Sequence, residues 1–361
     1  MRTGVTNLPL HGGHCPRWLF PRMKKLAGAI TEAIIDDYGH DEFLRRLADP
    51  NWFQALGSTI GFDWHSSGLT TTTGGALKEA LNHADLGVTI AGGKGKASRK
   101  TLQEIQARAR TTTHADKLTR ASRLTAKADT ALIQDEYQLY HHMFAFTDKG
   151  TWAVVQQGMN ARYARRYHWL SDNTPSFIEH DNHIIGDRKE PDVLNLTTTE
   201  SKDNRRVTLD LAKEHPAKAA RQLRQPAQRT LGHYDGSHPE ETTYTQRHTI
   251  NGAERINQET LRKAYEYQPK TYEELLLTKG MGAKTIRGLS LVASLIHGAP
   301  ATWRDPIKHS FAHGGKDGIP YPVDRKRLDE NTRFLKQAIE QARIGREERQ
   351  HCLKRLARTV T

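Results

Sequence analysis

Apolar positions that recur every three or four residues predict helices near both ends of the chain. The first such run covers residues 18–48, and a second covers 74–84, "GGALKEALNHA". The apolar positions of the first run are Leu19, Met23, Leu26, Ile30, Ile34 and Ile35. Residues 51–73, which lie between the two runs, have no clean period and are rich in Gly, Ser, Thr and aromatic residues. They are predicted to be mostly loop.

Alternating apolar and polar positions predict strands only in the middle of the chain. "MFAF" and "TWAVVQQGM", joined by "TDKG", predict a hairpin over 143–159. The alternation places Gln156 and Gln157 on opposite faces of the second strand. Residues 192–199, "DVLNLTTT", form another candidate strand. The segment before the hairpin, from Arg99 to the end of "ALIQDEYQLYHHM", is predicted to be helical.

These patterns predict an α+β protein that is mostly helical, with a small antiparallel sheet in an N-terminal body over 1–200. Residues 201–255 are polar, with scattered Pro, Gly and charge, and predict a linker that is partly disordered. Residues 256–361 predict a helical part that ends in two basic helices, 325–343 and 346–358. No internal repeat is visible.

The charge of the chain indicates the kind of partner. The 361 residues carry 54 Lys and Arg against 41 Asp and Glu, a net charge of +13. Residues 94–127 contain ten of the basic residues, among them Lys94, Arg99 and Lys100, and only two acids. A solvated helical face usually mixes the two signs, so this segment favours a polyanionic partner over that alternative.

Other classes of protein are disfavoured by composition. No run of 18 apolar residues exists to span a membrane, and the N-terminus lacks the pattern of a secretion signal, so we expect a cytoplasmic protein. Cys15 and Cys352 lie far apart in the chain and are expected to be reduced. "AGGKG" at 91–95 is too short for a phosphate-binding loop, so no nucleotide cofactor is expected.

The stretch 273–298, "EELLLTKGMGAKTIRGLSLVASLIHG", predicts two short helices joined by a turn that contains two glycines. Thr271 and Glu274 form a capping box at the start of the first helix. A glycine turn that opens a new helix exposes backbone N–H groups at the positive end of that helix, an arrangement that suits phosphate. Lysines flank the turn. The residues predicted to bind the phosphate are Lys279, Gly280, Met281, Gly282, Lys284 and Thr285.

This stretch resembles the helix-hairpin-helix motif of DNA repair and recombination proteins. It departs from the motif at Ile286, where a small residue is preferred. The alternative is an ordinary helical hairpin with a glycine turn. The resemblance implies contact with the DNA backbone, which positions the nucleic acid without reading its sequence.

A longer resemblance covers nearly the whole chain. Segments such as "NLPLHGG", "DWHSSGLTTTTGGALKEAL", "QLYHHMF", "WAVVQQGMN" and "DPIKHSFAHGGKDGIPYPVDR" resemble the prokaryotic family known as domain of unknown function 763. The resemblance weakens over 198–255. It implies a metal-dependent nuclease that acts on DNA, but it assigns no catalytic residue.

Cleavage of a phosphodiester calls for a divalent ion, here Mn or Mg, or for a general base together with cations that hold the phosphate. Asp63 and His65, which are two residues apart in the loop "GFDWHSSG", are a candidate metal site. The alternative is that these side chains only bond to the loop backbone.

A second candidate cluster lies in 132–169. Its polar residues surround the predicted hairpin, and those proposed to be catalytic are Asp135, Gln157, Arg166 and His168. Arg165 and Arg166 would clamp the phosphate and His168 would act as base or acid. The alternative is a buried polar network that braces the sheet. Either His141 or His142, which lie earlier in the cluster, is a further candidate.

Two further patterns are weaker. The loop "AHGGKDG" at 312–318 suits either phosphate binding or a tight turn. Pro191, Asp192, Glu200 and Lys202 match loosely a magnesium-binding nuclease pattern, which is common by chance. The sequence therefore favours a divalent-metal-dependent DNA endonuclease that selects DNA structure, and the alternative is a non-catalytic DNA-binding or repair-scaffold protein.

Overall fold

The computed structural model describes residues 15–62, 67–180, 183–185, 190–218, 221, 257–307 and 325–360. The N-terminal helices are α1 (Leu19–Tyr38), α2 (His40–Ala48), α3 (Pro50–Thr59) and α4 (Ser67–Ala84). The predicted first helix is therefore two helices. Gly39 separates them, with a φ of 84° that favours glycine.

The prediction that 51–73 is mostly loop was wrong. Asp49 caps α3 by accepting hydrogen bonds from the backbone N–H groups of Asn51 and Trp52, and Pro50 occupies the first turn. Every residue of α3 is buried, and α4 begins at Ser67, seven residues before the predicted start of the helix. A helix that is buried on all sides has no polar face, so its sequence shows no amphipathic period.

Five strands form one antiparallel sheet in the order β1-β3-β4-β5-β6. They are β1 (Val88–Lys94), β3 (Gln138–Thr147), β4 (Trp152–Met159), β5 (Ala164–Leu170) and β6 (His183–Ile185). A second sheet pairs β2 (Ile133–Gln134) with β7 (Leu194–Asn195). The predicted hairpin is confirmed as β3–β4.

The sequence missed β1 and β5, and it extended the preceding helix too far. "QLYHHM" lies in β3 and not at the end of a helix. In β5 every residue is buried, including two consecutive arginines, so the alternation that identifies a strand with one solvent face is absent. Of the candidate strand 192–199, only Leu194–Asn195 is strand.

Helices cover both faces of the main sheet. On one face α1–α4 pack on apolar side chains of the sheet such as Met143 and Val155. On the other face Phe144 and Val154 pack beneath α5 (Thr101–Arg108) and α6 (Thr112–Lys127). The alternation of neighbouring residues in β3 and β4 thus supplies two separate cores.

The C-terminal half is helical, as predicted. Its helices are α7 (Lys202–Lys213), α8 (Gln258–Tyr267), α9 (Tyr272–Leu277), α10 (Ala283–Leu295), α11 (Arg325–Gln341) and α12 (Arg346–Val360). Helices α7–α10 join the core beside α6, whereas α11 and α12 pack against α1 and α3.

Helix α7 lies inside the range that the sequence predicted to be linker. Asn204, at its start, is fully buried and donates to the carbonyl oxygens of Ser290 and Ala299 at 3.0 and 2.7 Å. This part of the predicted linker is therefore a structural helix. Within the described ranges no helix is long and apolar enough to cross a membrane.

Gly92 in β1 provides a test of the sheet packing. Its φ is 87°, and a Cβ there would lie 2.2 Å from the carbonyl oxygen of His142 and 2.4 Å from Thr101 Oγ1. We expect Gly92→Ala to lower the free energy of unfolding by about 3 kcal/mol or more, measured by urea denaturation.

Gly95→Ala is the matched control, because Gly95 also has a positive φ, 59°, but no atom lies within 4 Å of an added Cβ. Its cost should be limited to the backbone strain, about 1 kcal/mol. Equal losses in the two variants would contradict the close packing at Gly92.

Candidate functional site

A row of polar side chains crosses the sheet on the face that α1–α4 cover. Lys94 pairs with His141, His141 with Gln157, and Gln157 with Arg166 in the antiparallel registers of neighbouring strands. Residues directly opposite each other in a sheet project to the same face. We call these four residues the polar row. Lys94 is exposed at one end, and the other three are fully buried.

Arg166 is held by neutral partners. Its Nε donates to His168 Nε2 at 2.9 Å, and Nη1 donates to Gln54 Oε1 at 3.1 Å and Thr70 Oγ1 at 3.3 Å. Nη2 donates to the carbonyl oxygen of Pro50 at 3.2 Å. These bonds use four of the five N–H donors of the guanidinium. The loss of water around the buried group lowers the pKa of Arg166 to about 9, so it stays charged at neutral pH.

His168, predicted to be an acid or base, has both ring nitrogens engaged. Nε2 accepts from Arg166, so Nδ1 carries the proton and bonds to the carbonyl oxygen of Leu47 at 3.3 Å. The ring also packs edge-on against Phe53. In this arrangement His168 orients Arg166.

A β-bulge brings a tyrosine to Gln157. The register between β3 and β4 shifts between Leu139 and His141, which makes Tyr140 the extra residue. Gln157 Nε2 donates to the Tyr140 hydroxyl and to the carbonyl oxygen of Ser67 at the start of α4. Bulges commonly redirect a side chain next to a functional site.

His141 has no hydrogen-bond partner at either ring nitrogen, although it is fully buried. Its ring lies against α4, where a Cβ added to Gly74 would be 3.3 Å from His141 Cε1. Gln157 Oε1 and the hydroxyl of Thr73, the residue before Gly74, also lack partners. Burial, and then the charges of neighbouring side chains, lower the pKa of His141 to about 3, so the imidazole is neutral.

Unpartnered buried polar atoms are uncommon, because each forfeits its bonds to water. Here two of these residues lie close to a buried cation, because Gln157 pairs with Arg166 across the sheet and the charge of Arg166 acts on His141. A neutral imidazole offers one N–H donor and one acceptor, and the Gln157 amide offers an acceptor. The polar row can therefore receive a small polar ligand or ordered water.

Arg165, unlike Arg166, is a buried cation that has carboxylate partners. It is fully buried, and its guanidinium forms ion pairs with Asp135, at 2.9 Å, and with Asp305. Burial by itself lowers the pKa of Arg165, but the two carboxylates outweigh this effect and the pKa is raised. The hydroxyl of Tyr167 also donates to Asp135 at 2.9 Å.

The predicted pairing of Arg165 and Arg166 on one phosphate was wrong. Consecutive residues of a strand project to opposite faces, and the carboxylates of Asp135 and Asp305 occupy Arg165. Asp135, predicted to be catalytic, therefore belongs to a buried ion-pair network and not to the group formed by Gln157, Arg166 and His168.

The face opposite the polar row carries a fully satisfied network. His142 Nδ1 bonds to Gln156 Oε1 at 2.7 Å, and its Nε2 bonds to Ser122 Oγ at 2.9 Å. Gln156 Nε2 and Trp169 Nε1 both donate to Asp129. This half of the predicted cluster braces the sheet, which was the alternative that the sequence left open.

The sequence named both His141 and His142 without choosing between them. The choice depends on strand register, because the hairpin pairs His142 with Gln156 and His141 with Gln157. Once "QLYHHMF" is recognised as a strand, the same alternation that separates the two glutamines separates the two histidines.

Several candidates lie outside the described residues, namely Asp63, His65 and the loop 312–318. Among the residues that the structure does describe, no group of three or more His, Cys, Asp or Glu could hold a metal ion. The described residues thus do not fit a metal site on their own. Of the loose magnesium-binding pattern, Glu200 lines a cleft of about 900 Å³ between β7 and residues 301–306.

The turn between α9 and α10 forms a second candidate site, at the surface. Gly280 has a φ of 92°, and Gly282 caps α10 without any side-chain hydrogen bond. Lys279, Gly280 and Lys284 are exposed, whereas Met281 and Thr285 are buried. The predicted cap of α9 is confirmed, since Thr271 accepts from the backbone N–H of Glu274 at 3.2 Å.

The turn is anchored from below. Lys127, at the end of α6, donates to the carbonyl oxygen of Met281, and Gln134 donates to that of Ala283 at 2.9 Å. Partial burial lowers the pKa of Lys127. A Cβ at Gly280 would lie 2.5 Å from Thr260 Oγ1, so α8 also fixes the turn.

The turn adjoins the basic segment. Arg120 of α6 forms an ion pair with Glu273 of α9, and Lys117 and Arg123 of the same helix are exposed. Lys94, Arg99 and Lys100 are exposed at the end of β1 and in the short helix that follows it. The basic residues predicted to contact DNA are therefore on the surface.

The fold and the two sites define an α+β protein with a helix-covered antiparallel sheet, a buried polar row and an exposed basic turn. The chain belongs to the family described as "Protein of unknown function (DUF763)", whose model matches residues 4–323. No match was found among curated proteins or among solved structures.

The ion-pair network of Arg165 gives a stability prediction. Arg165→Met leaves Asp135 and Asp305 buried without a cation, so we expect the free energy of unfolding at pH 7 to fall by about 3–5 kcal/mol. Burial raises the pKa of Asp135 and Arg165 lowers it, so without this cation the pKa in the folded variant lies further above that of the unfolded chain. The loss should therefore shrink as the pH is lowered from 7 to 5.

Urea denaturation at the two pH values measures both effects. Arg162→Met is the control, because Arg162 is exposed, and it should change the free energy by no more than about 0.5 kcal/mol. A loss at Arg165 that does not depend on pH would contradict the role assigned to the carboxylates.

Proposed function

We propose that the protein binds the phosphate backbone of DNA through the α9–α10 turn and cleaves the DNA as a divalent-metal-dependent endonuclease. The observation that carries the proposal is the N-terminus of α10, which has no side-chain cap and is partly exposed between the exposed Lys279 and Lys284. Backbone N–H groups at a helix N-terminus, together with nearby cations, suit a phosphate.

The anchoring of the turn supports the same proposal. Lys127 and Gln134 satisfy the carbonyl oxygens of Met281 and Ala283. The turn is thus braced from the protein interior. A preorganised site loses less entropy on binding than a mobile one.

Charge supports DNA as the polyanion. The exposed cations Lys117 and Arg123 lie on α6, the helix whose Lys127 holds the turn, so a phosphate chain that continues from the turn along this helix would also meet them. Contacts to phosphate alone carry no sequence information. We therefore propose that the protein selects DNA structure, such as bubbles, junctions or single-stranded regions. We also propose a cytoplasmic location.

The cleavage step rests on the nuclease activity that the sequence resemblance implies, and not on any metal ligand among the described residues. Mn²⁺ or Mg²⁺ would supply Lewis-acid chemistry to the phosphodiester. In this proposal Arg166 and His141 provide a positively charged and hydrogen-bonding environment next to Ser67, where α4 begins. The rival proposal is a non-catalytic DNA-binding or repair-scaffold protein. Such a protein would also bind DNA through the turn but would not cleave it.

Removing the two lysines of the turn tests the binding. Lys279→Ala combined with Lys284→Ala should weaken DNA binding, and the slope of log K against log salt should fall in magnitude by about two. Fluorescence anisotropy with labelled DNA at several salt concentrations measures this slope. The control is Lys326→Ala with Lys336→Ala in α11, which removes the same charge from exposed positions elsewhere.

Gly282→Val is the steric version of the same test. Gly282 has an extended backbone with a φ of −134°, and the nearest atom to an added Cβ is 3.9 Å away, so the fold should tolerate the side chain. Gly280 is a poorer choice because of its contact with Thr260. Unchanged affinity in both the lysine and the Gly282 variants would rule out the turn as the main DNA contact.

Cleavage is tested with purified protein on bubble and linear duplex DNA. We expect cutting of the bubble with Mn²⁺ or Mg²⁺ and none after addition of a chelator. His141→Phe should lose cutting while DNA binding is kept. Binding without cutting on any substrate and with either metal would leave the scaffold protein as the function.

A further inference from the structure

The two consecutive arginines of β5 differ in how their charge is balanced. Arg165 has two carboxylate partners, whereas Arg166 has only neutral acceptors, and the described residues include no carboxylate that forms an ion pair with it. Burying a cation without a counter-ion is costly. The positive charge is therefore retained at a cost in stability, which calls for a reason other than folding.

The side chains beside Arg166 also have unused hydrogen-bonding capacity. The ring nitrogens of His141 and the Oε1 atom of Gln157 have no partner although both residues are buried. The network on the other face, around His142, Gln156 and Asp129, has its ring and amide atoms bonded. The polar row therefore differs in this respect from the network around His142.

We propose that the polar row binds a phosphate-type oxyanion, to which Arg166 supplies the balancing charge and His141 a neutral N–H donor. The fifth N–H of Arg166 and the N–H of His141 would donate to the anion. Gln157 Oε1 accepts from an O–H of the phosphate or from a water that it carries. A metal cation alone does not suit the row, because Lys94 and Arg166 are both positive.

Two features lead from the row to the surface. Lys94, directly opposite His141 in β1, is exposed and adds charge at one end. At the bulge, Tyr140 contacts Gln157 and also lines a cavity of about 830 Å³ whose other polar lining residues include Asn160 and Arg162. The anion can be one phosphate of a DNA chain or a free phosphate. The inference rests on the proposed function only if the anion is a phosphate of DNA.

The test uses the full chain without DNA. Inorganic phosphate, compared with chloride at equal ionic strength, should raise the thermal midpoint of the wild-type protein by about 2–4 °C at concentrations well above its dissociation constant. A dinucleoside monophosphate, dTpdT, is the second probe. A shift with both probes indicates a backbone phosphate, and a shift with inorganic phosphate alone indicates a free or terminal one.

His141→Phe is the decisive variant. Because it removes an unpartnered buried imidazole, we expect a thermal midpoint in chloride at least equal to that of the wild type, and no rise with phosphate. His142→Phe is the matched control on the opposite face. It should lower the midpoint, because Gln156 Oε1 and Ser122 Oγ lose the imidazole to which they bond, while the rise with phosphate is kept.

Selective ¹⁵N labelling of the histidines gives a second readout. The ring nitrogens of His141, assigned from the His141→Phe spectrum, should shift on addition of phosphate, and those of His142 should not. No thermal shift and no movement of the His141 signals with either probe would overturn the proposal. A phosphate response in a protein that neither binds nor cuts DNA would refute the proposed function and leave this site standing.

Discussion

The burial of both faces of the main sheet is the constraint on which the rest of the structure depends. Strands β4 and β5 lie between two layers of helices, and every residue of β5 is buried. A polar side chain in such a strand cannot reach water, so it must find a partner or lose the free energy of its hydration. The sheet nevertheless pairs His141 and His142 with Gln157 and Gln156, and it pairs Gln157 with Arg166.

The two faces meet this constraint differently. Around Asp129 and Asp135, anionic groups are placed where buried donors need them, which makes these networks part of the framework. Around Arg166 the acceptors are neutral, and His141 is left without a partner. Natural proteins violate the rules of polar satisfaction mainly at functional sites, and the polar row is one place where this chain does so.

The sequence predicted the parts of this arrangement that depend on local periodicity. The β3–β4 hairpin, the capped α9 and the two C-terminal helices follow from patterns within a few residues. The helix α3 and the strand β5 were missed because both are buried on all sides, and a fully buried element has no polar face to give a period. Long-range pairing also decided the site, since only the register across three strands places His141, Gln157 and Arg166 together.

The two candidate sites lie on different sides of the sheet, and this bears on how one polyanion could serve both. The α9–α10 turn is held by α6, which covers one face, whereas the polar row faces α4 on the other. Strand β1 is the edge of the sheet, and the exposed Lys94, Arg99 and Lys100 lie at its end.

A DNA strand that is seated on the turn would pass around this edge to bring a phosphate to the row. Single-stranded or unpaired DNA bends far more easily than a duplex, whose persistence length is about 150 base pairs. Under the proposed function, the separation of the two sites by a sheet edge is a physical reason to prefer DNA that is locally unpaired.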